Sequence, residues 1–561
     1  MDAIVFGATG FIGRSLVAEL LTRGQRVAAA VRDDTLTPWL TAQGIDTGGL
    51  EIVTADITRP LSGLPEVRDV YNTAGRYAFG LGVREARATN VTGALNVLEW
   101  AAELPALRRL VHISGYRVSA ADGHPDYARL GAYEASKAEA DRAVRARADE
   151  LKVPLTIANP STVIGPGQYI GLAALVKDLW NGRLSALPGG HDTFLPITTI
   201  DYFVRFLAEA PASPAGEHYW VLDDTTPLLP ELIGTIADHM GVRAPRRTVS
   251  ADLLRRLPRT LTGADPETLS FLSTDRYPTA SAVAFAASAG LEMPPAADAL
   301  RTWADDLVAD RFGSASPRLS PYGFRAVAGS RTWVTGERHR PAHVLLHGLP
   351  MNADLWAPLA AHLPDPVLAP DLPGMGRSAA TNRPVDEWLA DLMSPVRTRP
   401  TLVAHSWACG PALRFVADHP DRVSGLVLIS PAFVQGRPSR LARSGLAVPM
   451  MRRMSAAGLA RTLGVPEGPE VGSATADLRR GGVARRVVTA MRTDVAEREQ
   501  ARALLGRVSV PVQIVVGAAD PLVAAVGHPV AEIAGAGHYP QLTHPAEVAR
   551  HLGTVSASIG G

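Results

Sequence analysis

The chain has 561 residues and a mass of 59.3 kDa, which is sequence for two to four domains rather than one. With 46% hydrophobic and 20% charged residues and a mean hydropathy of +0.06, it is neither a disordered tail nor a collagen-like or disulfide-stapled chain. The 56 basic residues nearly cancel the 55 acidic ones, so neither nucleic acid nor an anionic membrane surface is an expected partner.

The single cysteine, Cys409, allows no internal disulfide and no thiolate zinc site, so no metal is expected and a reducing, cytoplasmic setting is. No apolar run reaches the roughly 18 residues of a membrane span. Met1 leads straight into AIVFG without the basic segment of a secretory signal.

In chain order, the first half alternates strand-like runs (AIVFG, RVAAAV, EIVTAD, RRLVHIS, LTIANP) with amphipathic helices. Short buried strands separated by helices predict a parallel α/β sheet. The first strand runs into a turn holding Gly7, Gly10 and Gly13, and a helix then begins with Ile12, Leu16 and Leu20 on one face. Glycines let the backbone pass close to a pyrophosphate, and the helix N-terminus supplies N–H groups and positive dipole. Thr9, Phe11 and Ile12 lie in the same turn and join the candidate cofactor-binding set. The second strand ends at Arg32-Asp33, where an arginine favours the 2′-phosphate of NADP and an acid the 2′-hydroxyl of NAD. Arg32 comes first, which favours NADP. Asp56 ends the third strand, placed either to meet an adenine ring or to cap its own loop.

Tyr133 and Lys137 stand four apart in Y-E-A-S-K, on one helix face. An ammonium beside a phenol is expected to pull its titration down from near 10 toward the working range. Only Lys137, Lys152 and Lys177 are lysines, against 53 arginines, so a lysine kept here points to a need for a compact charge that also reaches ribose hydroxyls.

A Gly-, Ser- and Pro-rich stretch over 313–322 reads as a linker. Beyond it the rhythm resumes with HVLLHG, TLVAHS, GLVLIS and VQIVVG. TLVAHSWACG places Ser406 between a strand and a helix, flanked by Ala404 and Ala408 where a nucleophile elbow usually carries glycines. Asp520 follows the strand VQIVVG, and His538 comes 18 residues later, completing the order Ser, Asp, His. From Arg437 to Arg492 a helical insertion carries 11 arginines against Glu467, Glu470 and Asp477. It reads as solvated arginine-covered helices or as an attraction for an anionic acyl donor such as a coenzyme A ester or a carrier protein. Met450, Met451 and Met454 suit an adaptable lining or plain core.

On GATGFIG, VRD, YEASK and NPSTVIGPG (159–167), residues 1–312 resemble the extended short-chain dehydrogenase/reductase family, especially its dihydroflavonol-reductase-like branch. The resemblance implies a Rossmann doubly wound sheet, a smaller substrate-binding part over about 160–312, and hydride exchange between NADP(H) and a carbonyl. Tyr133 would donate the proton and Lys137 would orient the nicotinamide ribose. The family writes two hydroxyl residues at the end of the strand RRLVHIS, the second of them catalytic, where this chain has Ser114-Gly115 and so a glycine at the expected position. Ser114 is therefore assigned the third role, with Ser119 or a substrate-bound water as the other options. Ala74 and Gly75 in VYNTAG are small enough for close cofactor approach, and Tyr169, Leu172, Trp180 and Phe194 line a pocket or form core.

On HGLP, DLPGMGRS (371–378) and the Ser406, Asp520 and His538 order, residues 323–561 are similar to the α/β-hydrolase fold, with a helical cap over about 432–505. The resemblance implies Ser406 as nucleophile, His538 as base then acid, Asp520 as its orienter, and the N–H groups of Leu349 and Trp407 as oxyanion hole. A serine at 406, instead of the aspartate of dehalogenases and epoxide hydrolases, points to ester, lactone or thioester cleavage or acyl transfer. The expected whole is a bifunctional reductase and serine hydrolase acting on small carbonyl and acyl substrates. Two other readings stay open: an epimerase or dehydratase that recycles held NAD, and a hydrolase fold kept as a binding module.

Overall fold

A computed structural model describes the chain except residues 77–80, 119–124, 251–252, 254–271, 316–318, 437–438, 493–494, 521, 525 and 558–561. Ser119, part of the linker and Arg437 fall outside the described residues. Two compact units form: Met1–Val176, Leu184–Thr235 and Pro245–Trp303 make the first, and Lys177–Arg183, Ile236–Ala244 and Ala304–Gly561 make the second.

The first unit is built on seven strands, β1 (Ala3–Phe6), β2 (Val27–Val31), β3 (Leu50–Thr54), β4 (Asp69–Asn72), β5 (Arg109–Ile113), β6 (Leu155–Pro160) and β10 (His218–Val221). Their order is β10-β6-β5-β4-β1-β2-β3, and every pairing is parallel. β1, β2 and β5 are buried along their whole length, which is why they read as unbroken apolar runs rather than alternating ones. The order reverses direction at β1 and β4, the switch point where open α/β sheets bind ligands beyond the strands' carboxyl ends. The helix Phe11–Thr22 buries Leu16, Val17, Leu20 and Leu21 against the sheet. Two small parallel pairs complete this unit, β7 (Thr162–Ile164) with β9 (Ile197–Thr199) and β8 (Leu187–Pro188) with β11 (Thr248–Val249).

The second unit carries an eight-stranded sheet ordered β12-β13-β15-β14-β16-β17-β18-β19. The strands are β12 (Tyr322–Val327), β13 (Ser330–Gly336), β14 (His343–Leu346), β15 (Val367–Pro370), β16 (Thr401–His405), β17 (Gly425–Ile429), β18 (Val512–Gly517) and β19 (Val530–Ile533). β13 runs antiparallel to both neighbours and the remaining pairs are parallel. Among the described residues, five helices between Ala447 and Leu505 sit in the β17–β18 crossover. The chain is thus α/β throughout, with a Rossmann-like sheet followed by a hydrolase-type sheet. Among the described residues no helix is long and apolar enough to cross a membrane, and no group of His, Cys, Asp or Glu is arranged to hold a metal ion.

Candidate active sites

In the first unit the glycine turn closes tightly. Gly7 sits at φ +77, and a Cβ there would lie 2.7 Å from the Ala74 backbone. A Cβ on Gly13 would lie 2.1 Å from the Gly7 carbonyl oxygen. Glycine is what lets β1, the first helix and the end of β4 converge. Thr9 and Gly10 are exposed at the mouth, Phe11 and Ile12 half-buried, and the first-turn N–H groups have no partner within the helix. Gly10 caps that helix without any side-chain hydrogen bond. This cradle fits a dinucleotide pyrophosphate. Arg32 and Asp33 are both exposed at the end of β2. Asp56 caps its own loop, accepting from the Thr58 hydroxyl at 2.8 Å and the Thr58 N–H at 3.0 Å. Those two bonds hold its carboxyl below the usual range.

Lys137 projects from the helix Ala132–Leu151 to the ends of the strands. Its Nζ donates to the Ile113 carbonyl at 3.0 Å, and a Cβ on Gly75 would stand 3.3 Å from it. Burial pulls the ammonium down to about 8. Tyr133 moves the opposite way from expectation: burial and the charge of Glu134 push its phenol up to about 12. Desolvation of the phenolate is the larger of the two causes, and Tyr133 is held protonated. Ser114 is buried at the end of β5, and its Oγ has no hydrogen-bond partner among the described residues. At Gly115, where the related pattern has its second hydroxyl, a Cβ would meet only open space. Asn72 is absorbed locally, bonding the His112 ring at 3.2 Å and the Ala74 N–H at 3.2 Å. Of the suggested pocket residues, Leu172, Trp180 and Phe194 are buried. Trp180 belongs to the second unit, where Arg480 lies over its ring at 3.4 Å.

In the second unit, Ser406, Asp520 and His538 follow β16, β18 and β19, so the sheet delivers all three to one edge. His538 Nε2 is 2.8 Å from Ser406 Oγ, and its Nδ1 is 2.6 Å from Asp520 Oδ2. Ser406 occupies φ +52, the strained conformation of a nucleophile elbow. The strain falls on the serine itself. Ala404 lies within β16 and Ala408 has φ −66, so neither position demands glycine. Gly348 does: a Cβ there would lie 2.3 Å from His405 Nδ1 and 2.8 Å from the Ser406 Cβ. The loop bearing Leu349 thereby reaches the nucleophile, and the Tyr539 hydroxyl fixes the Leu349 carbonyl at 2.8 Å. Trp407 follows Ser406 directly and is half-buried.

Further residues support this site, and those outside TLVAHSWACG and DLPGMGRS carried no motif. His405 Nε2 donates to the His538 carbonyl at 2.8 Å, and burial drives its own titration far down, so it stays neutral. Gln435 donates to Asp520. The DLPGMGRS segment supplies Asp371, whose oxygens accept from the Ala353 N–H at 2.6 Å and from Arg377 Nε at 2.8 Å. Arg377 also reaches Asp354 at 3.0 Å. Burial opposes the charged form of Asp354, but Arg377 and Arg311 outweigh it and bring the carboxyl down to about 2. Arg311 pairs with Asp477 of the cap at 2.6 Å. Replacing Arg377 by alanine leaves two buried carboxylates short of a partner. It is expected to destabilise the second unit by about 3–5 kcal/mol, read as a lower urea midpoint for loss of its activity.

The profile of the Alpha/beta hydrolase family matches residues 344–551, and that of the NAD dependent epimerase/dehydratase family matches residues 3–183. The N-terminal part is 27% identical over 263 residues to the 2-alkyl-3-oxoalkanoate reductase of Stenotrophomonas maltophilia, covering 44% of this chain and 77% of that protein. It is 30% identical over 173 residues to a putative dihydroflavonol 4-reductase of Synechocystis, covering 29% of this chain and about half, 49%, of that relative. The C-terminal part is 32% identical over 254 residues to the pimeloyl-[acyl-carrier protein] methyl ester esterase of Aromatoleum aromaticum, covering 38% of this chain and 96% of the esterase.

Proposed function

We propose that this chain, which belongs to the alpha/beta hydrolase family through its C-terminal half and carries an epimerase/dehydratase-like N-terminal half, is a bifunctional enzyme: an NADPH-dependent carbonyl reductase joined to a serine hydrolase. The observation that carries the reading is the unbroken contact chain from Ser406 through His538 to Asp520.

In the hydrolase, Ser406 Oγ attacks an acyl carbonyl as its proton passes to His538 Nε2, while Asp520 keeps Nδ1 protonated and facing it. His538 then protonates the leaving group, and water repeats the sequence on the acyl-enzyme. The N–H groups of Leu349 and Trp407 receive the oxyanion. The likeness to an esterase of carrier-borne methyl esters supports an ester substrate. The cap exposes Arg440, Arg452, Arg453, Arg461, Arg485 and Arg492, which supports an anionic carrier, coenzyme A or a carrier protein, on the acyl group.

In the reductase, the glycine turn, Ala74 and Lys137 hold the dinucleotide, and the exposed Arg32 supports the 2′-phosphate of NADP over NAD. The nicotinamide supplies the hydride. Tyr133, held protonated, gives its proton to the carbonyl oxygen, and the Ser114 hydroxyl, free of partners among the described residues, receives that oxygen. The name of the Stenotrophomonas relative supports a 3-oxo acid or ester as substrate.

The test uses the full chain with NADPH and a series of 3-oxo acids and esters, followed at the nicotinamide absorbance. p-Nitrophenyl esters and an active-site serine phosphonate are run in parallel. NADPH consumption together with phosphonate labelling is the expected result. Labelling without NADPH consumption removes the reductase.

A pH dependence follows from Lys137. Its proton leaves at about 8 in the free chain, and the ribose needs the ammonium. The NADPH dissociation constant is expected to be flat below pH 8 and to rise above it, by at most about tenfold per pH unit. A Lys137→Met variant binds more weakly with no such slope, as titration by cofactor fluorescence would show.

A further inference from the structure

Asp520 is gripped from a second side. Gln435, 3% exposed, donates from Nε2 to the Asp520 carbonyl at 3.0 Å and also to Oδ2, the oxygen that accepts from His538 Nδ1. Both contacts are acceptors, so the carboxamide is oriented with its nitrogen toward Asp520. Gln435 lies just after the turn Ala432–Val434, where the chain leaves β17 for the cap. The last cap helix, Val495–Leu505, holds that segment: Arg498 donates to the Gln435 carbonyl, and Arg502 Nε donates to the Phe433 carbonyl at 2.8 Å. The acid loop returns the tie, with the Val523 N–H bonded to the Val434 carbonyl at 2.9 Å.

We propose that Gln435 is a positioning residue for the acyl chemistry, resting on the serine-hydrolase reading above. It locks the Asp520 carboxylate in the rotamer that receives His538 Nδ1–H, and Arg498 makes that lock depend on the seating of the last cap helix. Gln435 reaches neither Ser406 nor the ester. Its loss disturbs the orientation of the imidazole while leaving the acyl pocket intact, so the defect appears in kcat rather than KM.

The experiment measures p-nitrophenyl butyrate hydrolysis and phosphonate labelling by the full chain with Gln435→Met and Gln435→Glu. Methionine keeps the length and removes the donor. It is expected to lower kcat by about tenfold to a hundredfold at unchanged KM, and to slow labelling by the same factor. Glutamate sets a second carboxylate against Asp520. Its deficit relative to wild type is expected to shrink as the pH falls from about 8 toward 5.5, because protonation restores a donor. A merely structural role predicts no such recovery, so this variant decides the matter if the methionine protein does not fold. A methionine variant with wild-type kcat, or a glutamate deficit equal at every pH, overturns the proposal alone. A wild-type chain with neither turnover nor labelling overturns it together with the serine-hydrolase reading.

Discussion

Replacing Ser406 by alanine is expected to lower p-nitrophenyl ester turnover by about a millionfold in kcat, the scale set by removing the nucleophile of a serine triad. The expectation rests on the geometry of Ser406 itself. Ser406 is turned to φ +52, and its Oγ lies 2.8 Å from His538 Nε2. Cys409, the nearest alternative nucleophile in sequence, is fully buried, donates its Sγ to the Ala404 carbonyl at 3.2 Å, and has its thiol pushed far up by burial. It does not replace the serine. Phosphonate labelling followed by intact-mass measurement should vanish with the substitution. NADPH consumption by the same preparation should stay within about twofold, since the reductase site lies in a different compact unit. Ester turnover that survives Ser406→Ala would mean that the serine is not the nucleophile. Loss of both activities would mean that the substitution unfolds the chain.

What the sequence made legible were features set by local spacing. The alternation of apolar strands and helices announces the parallel strands of both sheets, but not the antiparallel pairings of β12 and β13 at the edge of the second. The glycine turn, the four-residue step from Tyr133 to Lys137, and Ser406 at a strand-to-helix turn are all local. The rest depends on neighbours brought together by the fold. Gln435 and Asp520 are 85 positions apart, and Arg311 and Asp477 are 166 apart; a lone glutamine or arginine carries no spacing signal. Segments 177–183 and 236–244 sit with the second unit although their sequence continues the first. The direction of the Tyr133 shift was beyond spacing for the same reason. An ammonium four residues on is a local fact, but desolvation is the work of the surrounding elements, and desolvation is the first cause of the upward shift. The alanines of the elbow show a converse error: they weaken the match to a pattern, while the strained angle resides on Ser406 and the close approach on Gly348.

Converting Tyr133 to phenylalanine is expected to cost about 10²–10⁴ in the rate of carbonyl reduction, the usual worth of a positioned general acid. NADPH affinity should be kept, since Lys137 and the glycine turn are untouched. The substitution removes one hydroxyl from a helix whose buried residues, among them Ala135, Ser136 and Ala140, stay in place. Loss of rate with loss of binding would instead indicate a collapsed site. The direction of the Tyr133 shift adds a second, independent expectation. With its phenol at about 12 in the free chain, the wild type should show no fall in reduction rate from loss of the Tyr133 proton between pH 6 and 9. A fall in rate as pH rises through that range, absent in Tyr133→Phe, would show that bound cofactor lowers the phenol by several units. In that event the acidity of the phenol is set by the bound cofactor and not by the free chain.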